Sequence, residues 1–219
     1  MSSLPDASLP FSPAAERNRE PIAQALQVFL PHGARVLEFG AGSGQHACHI
    51  GSARPDVSWH ATDRKQVLAG LRARIGSAGL ANLAPPSELD LLDPSTQNAI
   101  EADSVDLCFA ANVLHIAPAD AVAALFGIAA HALGDDGVLC LYGPVVLDGR
   151  YTSEGNRAFD AALRLQDASQ GLRDITDLDG WARATGFTPA TLVALPANNH
   201  LIVYQRATAD RSARPSKGT

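Results

Sequence analysis

The chain has 219 residues, 46% hydrophobic and 18% charged, enough for one sizeable core and ordinary for a globular protein. Its 17 basic and 23 acidic side chains leave a net charge of −6, which argues against broad binding to a phosphate backbone and makes nucleic acid an unexpected partner. There is no basic-then-apolar leader and no bilayer-spanning run, and Cys48, Cys108 and Cys140 form no C-x-x-C pair; Cys108 and Cys140 lie in apolar runs and read as buried free thiols, which suits a reducing cytoplasm. In chain order, residues 1–12 read as a flexible arm, 13–206 as a single domain and 207–219 as a disordered tail. Within the domain, the pattern predicts a helix over 14–30, a strand over 34–39, a helix over 45–53, a strand over 57–62, a helix over 66–77 and strands over 87–91 and 105–110. A helix over 119–132, a strand over 138–142, helices over 154–166 and 178–185, and strands over 190–195 and 201–205 follow. Several strands are continuous apolar runs, as parallel strands covered on both faces are. Pro118 sits near a helix start, and Gly79, Gly134 and Gly186 just past helix ends, where a left-handed residue is favoured. The alternation implies a doubly wound, mostly parallel sheet with helices on both faces. The gap 196–200 is too short for a parallel crossover, so the last two of the seven strands form an antiparallel hairpin.

The most informative segment is 36–44, Val-Leu-Glu-Phe-Gly-Ala-Gly-Ser-Gly. An apolar strand reaches an acid, Glu38, and then a turn, Gly40, Ala41, Gly42 and Gly44, just before a helix-compatible run. Glycines without a Cβ let the chain turn sharply and let a ligand approach the backbone. The G-x-G-x-G spacing differs from the G-x-G-x-x-G of dinucleotide binders, which disfavours a nicotinamide-dependent oxidoreductase. With an acid two residues before the first glycine, the segment resembles motif I of class I S-adenosylmethionine (SAM) methyltransferases. That resemblance implies a Rossmann-like class I methyltransferase fold with SAM as cofactor and S-adenosylhomocysteine (SAH) as product. The turn then faces the methionine moiety and the following helix start offers N–H groups to its carboxylate. Glu38, costly to bury unless paired, is implied to support the turn or the ammonium.

Other strand ends carry further candidates. Asp63 either accepts hydrogen bonds from the ribose hydroxyls or caps the helix after Arg64. In similar enzymes an acid in the position of Asp90 takes the adenine amino group, and Leu91 supplies an N–H and an apolar contact; Asp93 competes, or caps the helix after Pro94. Open α/β sheets bind ligands beyond the carboxyl ends of their strands, which puts Asn112 and His115 near the methyl group. The segment lacks the Asn/Asp-Pro-Pro-aromatic of amino-methyltransferases acting on nucleic acids and the Pro-Cys of cytosine-C5 enzymes.

Over 12–206 the chain is similar to one branch of the superfamily, the domain-of-unknown-function 938 family of the methyltransferase-like protein 26 type. The residues that carry this are 12–22 (Ser-Pro-Ala-Ala-Glu-Arg-Asn-Arg-Glu-Pro-Ile), Gly44-Gln45-His46-Ala47, Leu114-His115-Ile116, Leu141-Tyr142-Gly143-Pro144 and Leu195-Pro196-Ala197-Asn198-Asn199. The resemblance implies the fold and SAM use and names no acceptor. A methyl acceptor is expected to be a small molecule, methylated on O, N or S; the rival expectation is a SAM-binding protein without transferase activity. Catalytic candidates are His115, a base or only a pocket wall, and Tyr142, a site residue or core. Substrate-binding candidates are Arg17 and Asn18 at the N-terminal helix, Tyr151 with Asp148 in the loop after strand five, and Asn198 and Asn199, which also suit a plain turn. Residues 144–175 exceed a minimal crossover and suit a lid. His46 and His49 share a helix face, but no further ligands stand at persuasive spacing, so no metal is expected.

Overall fold

The computed structural model describes residues 9–207. Its elements are α1 (Pro13–Leu26), β1 (Arg35–Phe39), α2 (Gln45–Ala53), β2 (Ser58–Asp63), α3 (Lys65–Ala78), β3 (Ser87–Glu88), α4 (Pro94–Gln97) and β4 (Val105–Ala111). They continue with α5 (Ala119–Ala132), β5 (Leu133–Gly143), β6 (Val146–Leu147), β7 (Arg150–Tyr151), α6 (Glu154–Gln166), α7 (Ile175–Ala184), β8 (Thr191–Leu195) and β9 (Asn199–Gln205). Seven strands form one sheet in the order β3-β2-β1-β4-β5-β9-β8. β1 to β5 pair in parallel, whereas β9 runs antiparallel to both β5 and β8. The deduced terminal hairpin is therefore present, and the fold is the expected α/β one.

Alternation along the strands divides the core in two. Val36, Phe109 and Tyr142 pack under α1, α2 and α3 with Ile22, Ile50 and Leu71. Leu37, Cys108 and Leu141 pack under α5 and α7 with Phe126, Leu178 and Tyr204. Local chemistry starts the helices where it should: Ser12 accepts from Ala15 N–H at the head of α1, with Pro13 following, and Ser153 accepts from Asn156 N–H at the head of α6. Gly79 and Gly186 take the expected left-handed conformation.

Gly134 does not, which corrects the sequence reading. α5 runs directly into β5 through an extended Leu133, and Gly134 lies inside the strand. Register with β4 shifts between Val105 and Leu107, so a long irregularity on β5 replaces a glycine cap. β3 is shorter than expected, because Asp90 turns back on itself and accepts from Leu92 N–H while Thr96 Oγ1 takes Asp90 N–H. α1 stops at Leu26 rather than residue 30, ahead of Pro31. The short α4 starts at Pro94 with Asp93 as its cap, one of the two readings open for that acid; the β6–β7 hairpin was not anticipated, and it and α6 fill the region expected to act as a lid. Of the expected N-terminal arm, residues 1–8 lie outside the described part. In the remainder the Pro10 carbonyl accepts from Arg74 Nη2, and Ser12 N–H donates to Gln45 Oε1. Of the expected tail, only Ala207 is described. No helix among the described residues is long and apolar enough to cross a membrane.

Candidate functional site

The five parallel strands bring their carboxyl ends to one rim, and the glycine turn sits at its centre. Gly40, Gly42 and Gly44 have φ of +62°, +56° and +72°, a region that costs any residue with a Cβ. Two of the three are also packed. A Cβ on Gly40 would stand 2.7 Å from Val113 Cγ2, and one on Gly44 would stand 2.8 Å from Leu71 Cδ1. Gly42 differs: a Cβ there would meet only the Gly40 carbonyl oxygen, at 4.0 Å. Its side faces open space, so the turn is built tightly against the fold at both ends and bare in the middle. Ala41 N–H donates to the Thr62 carbonyl and Gly44 N–H to the Ala41 carbonyl. α2 starts at a left-handed Gly44 with no side-chain cap, which leaves first-turn N–H groups for an anion.

Asp63 clasps this turn from the end of β2. Its Oδ2 accepts from Gly42 N–H at 2.7 Å and its Oδ1 from Arg64 N–H at 2.7 Å. The N-cap position of α3 falls on Arg64. Each carboxylate oxygen has two acceptor directions, so one on each oxygen remains after these bonds. At the end of β3, Leu91 N–H has no partner among the described residues, while Asp93 accepts from Ser95 N–H and caps α4. Asn112, past the end of β4, is held at φ +60° with its N–H donating to the Tyr142 carbonyl at 2.8 Å; non-glycine residues kept in this conformation cluster at functional sites.

Glu38 lies beneath the turn, 1% exposed, with Oε2 accepting from Trp59 Nε1 at 2.7 Å on the neighbouring strand. Burial pushes its carboxyl up to about 7, against the Trp59 hydrogen bond and with the help of the Asp63 charge. A carboxyl raised above its unfolded value stabilises the fold below that unfolded value and loses the contribution as pH rises through the folded one. The contribution of Glu38 should therefore fall between pH 4.5 and about 7, by on the order of 3 kcal/mol, against the opposite trend of the buried His46 and His115, whose imidazoles burial lowers to about 4. Glu38→Gln removes this term alone, so the slope of urea-unfolding stability against pH across that window should become more positive than that of the parent chain. A slope as steep as that of the parent chain would show that Glu38 is not the titrating group.

The acceptor-side candidates fall into two groups. Arg17 and Asn18 on α1 come to Tyr142: burial raises the phenol, and hydrogen bonding from Asn18 and the charge of Arg17 work against this. The Asn18 Oδ1 is buried without a partner among the described residues. His115 approaches the end of β5 from the opposite face. It is 5% exposed, and its ring meets Phe159 of α6 edge-on, centroids 5.2 Å apart. The two catalytic candidates thus flank the strand end rather than touching one another. The Tyr151 hydroxyl donates to Asp160 Oδ2, which also receives Arg164 Nε. Asn198 offers its carbonyl to Asn156 Nδ2, and Asn199 Nδ2 donates to the Pro196 carbonyl, so the Asn199 side chain closes its own turn. His46 packs edge-on against Phe109, whereas His49 bonds Glu20.

Sequence reasoning missed three contributors. Trp59 Nε1 donates to the buried Glu38 carboxyl, Asn156 ties α6 to both Thr152 and the β8–β9 turn, and Arg173 donates to the Leu114 and Ala117 carbonyls around His115. Only Asn156 left a trace, three residues after a capping serine. A cavity of about 350 Å³ lies away from this rim, bordered by Arg35, Leu37, His60 and Ile100, where the 4-residue α4 covers little of the sheet.

The family model of the protein of unknown function DUF938 matches residues 9–206. The chain belongs to the DUF938 family. Solved structures similar to this DUF938 chain include methyltransferases. An O-methyltransferase family protein from Burkholderia thailandensis superposes with TM-score 0.75 at 19% identity, over 90% of this chain and 58% of that one. Human N-acetylserotonin methyltransferase, solved with SAM, gives TM-score 0.71 at 17% identity over 89% and 53%. CalO1, a methyltransferase in calicheamicin biosynthesis solved with SAH, gives TM-score 0.71 at 17% identity over 90% and 54%. The DUF938 chain spans little more than half the length of these structures, and at such identities they show a shared Rossmann-like methyltransferase fold.

Proposed function

We propose that this chain is a SAM-dependent methyltransferase acting on O, N or S of a small molecule. The carrying observation is the bare face of Gly42, clasped by Asp63 and set over the uncapped start of α2. These residues fit SAM: first-turn N–H groups of α2 suit a carboxylate, the free acceptor directions of Asp63 suit two ribose hydroxyls, and Asp90 with Leu91 N–H suit adenine. Glu38, Gly40, Ala41, Gly44 and Asn112 shape and hold the same pocket. When bound, SAM supplies a sulfonium-borne methyl group open to in-line displacement.

Positioning of the acceptor then contributes much of the acceleration. Burial, followed by the Arg173 charge, holds His115 down at about 4. Its ring is thus neutral at pH 7 and able to accept a hydrogen bond from an acceptor hydroxyl, but it is a weak base. Tyr142, Arg17 and Asn18 shape the other side. The motif residues at 12–22 and 195–199 support the methyltransferase-like protein 26 type within DUF938, and the free cysteines, their thiols raised by burial, suit a reducing cytoplasm.

Incubation with methyl-labelled SAM and a metabolite extract, alongside SAH calorimetry, tests this. SAH binding with a labelled product is the expected result. SAH binding without product under varied conditions would favour a SAM-binding sensor or partner subunit, and absence of SAH binding would end the reading altogether.

A further inference from the structure

The edge between β5 and β9 carries two imidazoles that no internal partner satisfies. His115 Nδ1 and His200 Nδ1 are both buried without a hydrogen-bond partner among the described residues. Both border Gly143. A Cβ built on Gly143 would lie 3.6 Å from His115 Nδ1. His200 is the cross-strand partner of Gly143, and antiparallel partners project to one face with their Cβ positions about 5 Å apart. The packing of the next pairs agrees: Leu141 and Ile202 share one core cluster, Tyr142 and Leu201 the other. The missing side chain of Gly143 therefore leaves room beside the unpaired His115 Nδ1, with His200, whose Nδ1 is also unpaired among the described residues, as the cross-strand neighbour on that face.

We infer that this gap is the acceptor site, with His200 as an acceptor-binding residue beside His115, and that it takes a flat apolar molecule presenting a neutral hydroxyl. This deepens the methyltransferase reading and rests on it. The surrounding charges are already committed. Arg173 donates to the carbonyls of Leu114, Ala117 and Ser169. Asp160 receives Arg164 Nε, the Tyr151 hydroxyl and Leu172 N–H. On the His115 face, neither Arg173 nor Asp160 has a group left over for a charged acceptor; Arg17 lies on the opposite face, beside Tyr142. Burial lowers His200 as it does His115, so both rings are neutral at neutral pH, each with one donor and one acceptor nitrogen. A hydroxyl, donor and acceptor at once, satisfies such a pair. The apolar wall comes from Phe159, 40% exposed and edge-on to the His115 ring. Asn156 pins α6 to the turn ahead of His200, where Ala197 and Asn198 are held at φ of 60° and 55°, strain that persists only where the surroundings enforce it.

The test uses nitrogen-labelled, SAH-saturated protein and NMR of the imidazole nitrogens, with 4-ethylphenol, 4-ethylanisole and 4-ethylbenzoate as probes. The phenol should shift the Nδ1 signals of both His115 and His200 and bind at least about fivefold more tightly than the donor-less ether or the anion, the scale of one net hydrogen bond. In His200→Gln the preference for phenol over ether should collapse while SAH affinity stays at the parental value, which also reports an intact fold. The inference is overturned if the phenol leaves His200 unmoved, if the benzoate binds as well, or if His200→Gln keeps the full preference. Any of these with SAH still bound sinks the acceptor site alone, whereas a parent chain that does not bind SAH sinks the methyltransferase reading.

Discussion

Gly42→Ala is expected to leave the protein folded but to weaken SAH binding by about tenfold or more, while Gly40→Ala, two residues away, is expected to lose much of the fold's stability. Both glycines are left-handed, so each substitution carries about 1–2 kcal/mol of backbone cost, offset by a few tenths to about 1 kcal/mol from a stiffer unfolded chain. Only Gly40 adds a collision, at 2.7 Å from Val113 Cγ2. Val113 lies in the short segment between β4 and α5 that also carries His115, so it has little room to yield, and overpacking adds about 1–3 kcal/mol. The total for Gly40→Ala is about 1–5 kcal/mol, a large share of a typical stability of about 5–15 kcal/mol. At Gly42 the new methyl enters the open space that the ligand is argued to use. Urea unfolding and SAH calorimetry on both variants separate the effects. Normal SAH affinity in Gly42→Ala would mean that the bare face is not a ligand face, and parental stability in Gly40→Ala would refute the tight contact with Val113.

Asp63→Ala is expected to reduce SAH affinity by about a hundredfold or more, since bonds to a charged group are worth about 1.5–3 kcal/mol each and a hundredfold is about 2.7 kcal/mol. Two causes contribute: the ribose loses its acceptors, and Gly42 and Arg64 lose the acceptor that fixes their N–H groups. Asp63→Asn separates these causes. An amide oxygen still accepts from Gly42 N–H and holds the turn, but the amide nitrogen has no lone pair for a ribose hydroxyl or for Arg64 N–H, which loses its acceptor. A loss of about tenfold in Asp63→Asn would assign the remainder to the turn. Parental affinity in Asp63→Ala, measured by calorimetry, would remove Asp63 from the site.

The parts of the site that were legible share one property. Gly40, Gly42 and Gly44 announce a backbone shape that few other residues permit, and Asp63 stands at the end of a strand whose period and length are local, whereas Asp90 falls in the turn beyond a β3 shorter than its sequence suggests. The terminal hairpin was legible because a connection as short as 196–200 has one geometric solution. Gly134 was misread for the converse reason. A glycine after a helix usually caps it, but here pairing of Leu133 with Val105 draws the chain straight into the sheet, and long-range pairing outweighed local preference.

The sequence by itself determined the doubly wound sheet, the glycine turn and the order in which its acidic strand ends follow, because apolar periodicity, chain length and glycine's dihedral freedom are properties of short stretches. Tertiary structure alone decided what each polar group is free to do. Asp160 and Arg173 look like site residues as charges but are consumed by distant partners, Tyr142 and His115 are put on opposite faces of one strand end, and His200 acquires an orphaned nitrogen only because β9 places it opposite a glycine of β5. Whether a side chain is satisfied depends on neighbours far away in the chain, and that is set by packing rather than by spacing.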